Sequence, residues 1–324
     1  MFTKKYFIAD IGATNARLAL IDSNRRPLKK SYYKTAEMDI YATIKEFASK
    51  DRIDAACIAV AGILDSDRTH ASFTNLQKDI GAAELKEVLR TKNVILLNDF
   101  EALGLGIDGI RKEQYEELTS KDIDTKGIIA VAGAGTGLGI SILYEYEGRH
   151  YPIPSEGGHS SIIFDLESRL EKDLYLYLKK KKIPMEAESI ISGRGLLSLY
   201  DFLLAKKIKH NEKIRKEIGK SRNPVLITRY ALQDKDPLCV KASELLVMFY
   251  ARVCRQLALF SLCSTLVISG PIMNSLRPIL QEMFLETFIQ HSHTEARKML
   301  ESMSVIILTE PELALAGCFR ALKS

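Results

Sequence analysis

Ala130-Val131-Ala132-Gly133-Ala134-Gly135-Thr136-Gly137-Leu138-Gly139-Ile140-Ser141 decides how the rest of the chain is read. An apolar run enters a glycine-rich turn and a second apolar run leaves it, which reads as strand, turn, strand. Glycine at alternate positions lets the backbone approach an anion closely and aim its N–H groups at phosphate oxygens, and the Thr136 hydroxyl adds a donor. A turn of the same kind lies near the N-terminus, where Ile8-Ala9-Asp10-Ile11-Gly12-Ala13-Thr14-Asn15-Ala16-Arg17 leads into the run Leu18 to Ile21. Two such turns predict a nucleotide held from both sides.

A dinucleotide site of the Rossmann kind requires the glycine turn to open into a helix whose N-terminus holds the pyrophosphate. Here Gly139 is followed by Ile140-Ser141-Ile142-Leu143-Tyr144-Glu145-Tyr146, and Arg17 by Leu18-Ala19-Leu20-Ile21-Asp22, both strand-like. Neither turn ends in Gly-Lys-Ser/Thr, so a Walker A loop is absent. Each turn alone could be a plain hairpin, and the segments between and after them carry the chemistry.

Asn93-Val94-Ile95-Leu96-Leu97-Asn98-Asp99-Phe100 reads as a buried strand delivering Asn98 and Asp99 at its end, before the helical segment Glu101 to Ile107. Strand ends of α/β sheets are where ligands bind. Asp99 could equally be the N-cap of that helix. Pro154-Ser155-Glu156-Gly157-Gly158-His159 places a carboxylate and an imidazole around two glycines, able to address one small polar molecule. A further carboxylate, Glu188, precedes Ser192-Gly193-Arg194-Gly195 at the mouth of the helical run Leu196 to Ala205.

With these residues in place, the chain resembles the bacterial glucokinases of the hexokinase and actin-like ATPase superfamily. The pattern Asp-x-Gly-x-Thr-Asn-x-Arg-Leu-Ala-Leu is matched over Asp10 to Leu20, and the match continues in order through Phe73-Thr74-Asn75, Asn98-Asp99-Phe100, Gly133 to Gly139, Glu156-Gly157-Gly158-His159, Ser192-Gly193-x-Gly195-Leu196 and Ser269-Gly270. Only about Lys206 to Lys241 matches weakly. Three departures stand out: Ile58 to Leu64 lacks the proline often found there, no aromatic follows Asn75, and Arg194 replaces a frequent proline.

The resemblance implies an α/β chain with the two-lobed actin-like ATPase (ribonuclease H-like) fold and a cleft between lobes, a small lobe of 1–109 plus 305–324 and a large lobe of 110–304. It implies phosphorylation of D-glucose at the 6-hydroxyl by ATP, with Asp99 as the catalytic base. Asn75, Asn98, Asp99, Glu156, His159 and Glu188 correspond to the glucose-binding set; Glu186 lies two residues earlier, and alignment to Ser192-Gly193 selects Glu188. Gly12, Ala13, Thr14, Asn15, Gly133, Gly135, Thr136 and Gly137 correspond to the phosphate loops, Ser269 and Gly270 to the adenosine side, and Asp10 to the carboxylate that holds Mg²⁺ through water. A homodimer follows from the same resemblance. The residue types suit the chemistry: a sugar needs acceptors and two-faced groups for its hydroxyls, and phosphoryl transfer needs alignment, a metal, donors and a base. Two alternatives stay open, a kinase for mannose, N-acetylglucosamine or another sugar, and a sugar sensor without catalysis, against which Asp99 and both loops argue.

Composition bounds the remainder. A chain of 324 residues with 46% hydrophobic content has room for two lobes with a real core. Its net charge of +5 is mild, and the basic runs Lys179 to Lys182 and Lys206 to Lys220 lack stacking aromatics, so they read as solvated helix faces and no nucleic-acid partner is expected. Five widely spaced cysteines suggest reduced core residues in a cytoplasmic protein. His291-Ser292-His293 reads as a surface pair near a helix end. No signal peptide is expected, since the apolar strand after Lys5 ends at Asp10. Phe249 to Gly270 contains Arg252 and Arg255 and reads as a core helix and strand, so no membrane contact is expected.

Overall fold

The β1 strand (Lys5–Ile11) turns at Gly12 into β2 (Asn15–Asp22), with which it pairs antiparallel so that Asp10 lies opposite Arg17. Alternation along β1 divides its side chains between two cores. Phe7, Ala9 and Ile11 enter one, and Tyr6 and Ile8 the other. The computed structural model describes residues 3–73, 78–310 and 312–323. Asn75, expected in the sugar site, lies outside them.

β3 (Pro27–Lys34) closes one edge of this sheet. Its exposed Lys29, Lys30 and Lys34 are the charged side chains by which edge strands resist pairing with other chains. α1 (Ile40–Ala48) starts at an Asp39 cap that accepts from Ala42 N. β4 (Ala55–Val60) runs parallel to β1, and three short strands, β5 (Gly62–Leu64), β6 (His70–Phe73) and β7 (Asp79–Gly81), form a separate antiparallel sheet. After α2 (Ala82–Leu89), β8 (Val94–Asn98) completes the order β3-β2-β1-β4-β8 and delivers α3 (Asp99–Ile107).

The second sheet is built on the second glycine turn. Its strands are β9 (Tyr115–Glu117), β10 (Ile129–Ala134), β11 (Leu138–Tyr146) and β12 (Arg149–Ile153), then, after α4 (Arg169–Lys180), α5 (Gly193–Ala205), α6 (Glu212–Ser221), α7 (Pro224–Leu232) and α8 (Pro237–Ser261), β13 (Thr265–Ser269). α9 (Pro271–Ser275), α10 (Arg277–Ile289) and α11 (Thr294–Ser302) lead to β14 (Ser304–Leu308), and α12 (Leu313–Ala321) ends the fold. The order is β12-β11-β10-β13-β14-β9. α8 lies against this sheet, where the buried Tyr250 hydroxyl donates to Ala132 O at 2.7 Å. As read from the sequence, it is a core helix, and among the described residues no helix is long and apolar enough to cross a membrane.

Contacts divide the chain into two compact units, Met1–Lys112 with Leu143–Pro154 and Glu310–Ser324, and Glu113–Ile142 with Ser155–Thr309. β14 is buried at every position and pairs parallel with β13 and antiparallel with β9, within the second unit's sheet. The end of β11 and all of β12 count with the first unit. Only α12 returns to that unit, crossing α3 at glycines where a side chain has no room. A Cβ on Gly317 would sit 1.7 Å from Ala102 O, and one on Gly106 2.2 Å from Leu313 O.

Candidate active site

In the first unit the Gly12 turn is braced on all sides. Gly12 N–H donates to Asn15 O at 3.0 Å, Thr35 Oγ1 donates to Gly12 O at 2.7 Å, Thr35 N to Thr14 O at 3.1 Å, and Lys34 Nζ to Asn15 Oδ1 at 2.7 Å. The cross-strand register brings Arg17 Nη1 within 2.6 Å of Asp10 Oδ2. Asp10 is 7% exposed, and burial raises its pKa despite the pull of Arg17. Among the described residues no group of three or more His, Cys, Asp or Glu could hold a metal. A single carboxylate still fits Mg²⁺, which keeps most of its water and takes one or two carboxylates beside substrate phosphates.

The end of β8 settles which residue caps α3. Asn98 Oδ1 accepts from Phe100 N at 2.8 Å, and Glu101 Oε2 accepts from Asn98 N at 2.9 Å, a capping box. Asn98 is the cap residue, and the same Phe100 N–H donates also to Asp99 Oδ1 at 3.1 Å, so both side chains meet the α3 N-terminus. Asn98 Nδ2 donates to Gly62 O at 3.1 Å, which uses one of its two amide hydrogens.

In the second unit the two sets expected at the nucleotide come together. Gly133 and Ser269 are register partners on β10 and β13. Gly135 N–H donates to Gly137 O at 2.8 Å and Gly193 N–H to Gly135 O at 2.9 Å, so the Thr136 turn is held by the start of α5. Gly270 follows with φ +96°, and a Cβ there would meet Ala134 O at 2.3 Å.

The sugar-binding candidates of this unit also converge. Glu188 Oε2 accepts from Leu138 N at 2.9 Å, at the exit of the phosphate turn, and Arg194 Nη2 lies 3.4 Å from Oε1. Ala187 N donates to Ser160 O at 2.9 Å, tying the Glu188 segment to the loop that carries Glu156 and His159. Through that tie Glu186, passed over in favour of Glu188, reaches His159 Nδ1 with Oε2 at 2.9 Å. This hydrogen bond leads the causes that raise the His159 pKa, while burial raises that of Glu156, reinforced by the Glu188 charge. Sequence reading weighed Glu186 and passed it over, and it missed two neighbours of the candidates, Arg17 as partner of Asp10 and Glu101 as partner of Asn98. The last had a signal, an Asn-x-x-Glu spacing at a helix start. His293, as expected, is at a helix end, its Nδ1 accepting from Ala296 N.

Two glycine turns between paired strands, an aspartate at a strand end and carboxylates gathered around an imidazole are the features that the resemblance assigns to a sugar kinase of the actin-like ATPase fold. The sequence pattern described as Glucokinase matches residues 7–324. The chain belongs to the glucokinase family. It is 30% identical over 323 residues to a glucokinase of Rhizobium etli, covering 96% of this chain and 89% of that protein, and 29% identical to one of Chelativorans sp. over the same shares. Among solved structures, the glucokinase of Balamuthia mandrillaris in complex with glucose superposes with a TM-score of 0.85 at 23% identity, covering 99% of this chain and 94% of that one.

Proposed function

We propose that this chain transfers the γ-phosphoryl group of ATP to the 6-hydroxyl of D-glucose, with Asp99 as the general base. The observation that supports the reading is the position of Asp99, at the end of β8 and the first residue of α3, directly after Asn98. Family membership supports glucose as acceptor and ATP as donor.

On this reading Asp99 accepts the proton of the 6-hydroxyl as the oxygen attacks the γ-phosphorus, the bond to the β–γ bridging oxygen breaks, and ADP leaves. The glycine turns at Gly12–Thr14 and Gly135–Gly137 cradle the phosphates, their shape fixed by the Gly12 and Gly135 N–H groups donating to Asn15 O and Gly137 O, and Ser269 and Gly270 line the adenosine side. Asp10 is the residue that would hold Mg²⁺, which when bound would supply charge neutralisation at the phosphates. Glu156, His159 and Glu188, with Asn98, bind the sugar's other hydroxyls. A carboxylate accepts and an imidazole donates, so this mixture rejects sugars whose hydroxyls would leave a partner unpaired. The five free, buried cysteines fit a reducing cytoplasm.

The test is ADP release from MgATP with purified protein and D-glucose, D-mannose, D-fructose, N-acetylglucosamine or no sugar. Turnover confined mainly to glucose is the expected result. Turnover on another sugar moves the substrate, and none on any sugar contradicts the reading.

A further inference from the structure

A second cavity of about 520 Å³ lies wholly within the first unit, a size suited to a small molecule. Its wall is shared by β8, α3, the β11–β12 hairpin and α12, and none of the residues assigned to sugar, phosphate or metal lines it. Leu97 and Leu105 supply apolar surface. Tyr144 and Tyr151 add a stacked aromatic pair, ring centroids 5.5 Å apart, at 43% and 37% exposure. Four cationic side chains, Arg68, Arg149, Arg320 and Lys323, stand against two carboxylates, Glu101 and Asp108. His150 also lines it, bound through Nδ1 to Asp108, with its Nε2 buried and lacking a hydrogen-bond partner.

One part of this wall belongs to the catalytic helix. Glu101, 2% exposed, binds Arg68 through both oxygens, at 2.7 and 3.0 Å. The oxygen that accepts from Arg68 Nη1 is the one that accepts from Asn98 N at 2.9 Å and closes the capping box before Asp99. An anion in the cavity competes with Glu101 for Arg68. Drawing the guanidinium away leaves a buried carboxylate short of its partner, a costly state that loosens the cap it supports.

We propose that this cavity is a regulatory site for a phosphate monoester carried on a ring, and that its occupancy slows phosphoryl transfer through Arg68, Glu101 and Asn98. The excess cationic charge selects the phosphate, with guanidinium groups its preferred partners. The tyrosine pair selects the ring. The effect on rate rests on the reading of Asp99 as the base; the binding site does not.

The experiment is calorimetric titration of the full chain with phenyl phosphate, its sugar and nucleotide sites first filled with glucose and a magnesium complex of a non-hydrolysable ATP analogue. One equivalent should bind, more tightly than inorganic phosphate or phenol. Arg149→Ala should weaken it about tenfold or more, the worth of one charge-assisted hydrogen bond, at an unchanged melting temperature. Tyr151→Ala should weaken phenyl phosphate but not inorganic phosphate. Adenosine monophosphate and glucose 6-phosphate, titrated the same way, distinguish a nucleoside from a sugar as the ring, and binding of either supports the site. In steady state, phenyl phosphate should lower kcat for glucose without raising KM for either substrate. Absence of binding, undiminished binding to Arg149→Ala, or an unchanged kcat at saturation overturns the proposal. Failure of the sugar-kinase reading shows separately, as no turnover with a normal isotherm.

Discussion

His159 and Glu186 show how one hydrogen bond sets the state of an imidazole. The Glu186 carboxylate, aided by the charges of Glu188 and Glu156 and opposed by burial, lets the imidazole keep its second proton to higher pH than the ordinary value of about 6.5. Because the folded pKa is the raised one, the pair's contribution to stability is complete below the ordinary value and is lost as pH rises through the folded one. A protonated His159 donates from both nitrogens, one N–H to Glu186 and, on the proposed function, one to a sugar hydroxyl, so that function predicts glucose affinity to fall over the same rise in pH. Glu186→Gln should shift the imidazole midpoint downward in nitrogen-detected NMR titration; an unmoved midpoint contradicts the assignment. At Gly270, φ +96° and the approach of Ala134 O leave no place for a side chain. Gly270→Ala should cost more than about 1 kcal/mol in denaturant unfolding, and unchanged stability would show that the turn can relax. The glycine turns were legible because backbone approach to phosphate demands glycine. The choice between Glu186 and Glu188 was not, since two carboxylates in one loop differ only in which neighbour each meets, and that depends on the bonds between Ala187 and Ser160.

The helices of the second unit are locked by charge as well as by apolar packing. Glu171 on α4 is 4% exposed, receives Arg252 of α8 at 2.7 and 2.9 Å, and accepts from Asp165 N at 2.8 Å. Arg252→Met leaves that carboxylate buried without its counter-ion and should destabilise the protein by roughly 3–5 kcal/mol, whereas the double variant with Glu171→Met should recover much of the loss. Thermal unfolding of the three proteins decides it, and equal melting temperatures would mean that the pair adds nothing. The long core helix was readable from its apolar content and its Asp236-Pro237 start, which the structure uses as cap and first turn. α6 was read only as a basic helix face without its Asn211 start, and α7 was passed over although Asn223 before Pro224 is a helix-start signal. They fall where the family pattern is weak. The placement of β14 could not be read from its sequence, because a short apolar run does not declare which sheet will receive it; burial on both faces and two partner strands did.

At the scale of the molecule, we propose the end of α8, where Phe260 is 85% and Leu262 68% exposed, as the place to test the homodimer that the family resemblance implies. Apolar side chains left so open at the end of a buried helix suit a covered surface. Phe260→Asp should convert a dimer to a monomer in sedimentation equilibrium without loss of folding; a wild-type mass of one chain, 36.4 kDa, would contradict the dimer. Phosphoryl transfer, as proposed, turns on one carboxylate at the start of α3. The most direct measurement is the rate of ADP release from MgATP and glucose by Asp99→Asn beside the unaltered chain, with glucose affinity determined on both. The rate should fall about 10²–10⁴-fold while affinity for glucose is largely kept; equal turnover would remove Asp99 from the role of base.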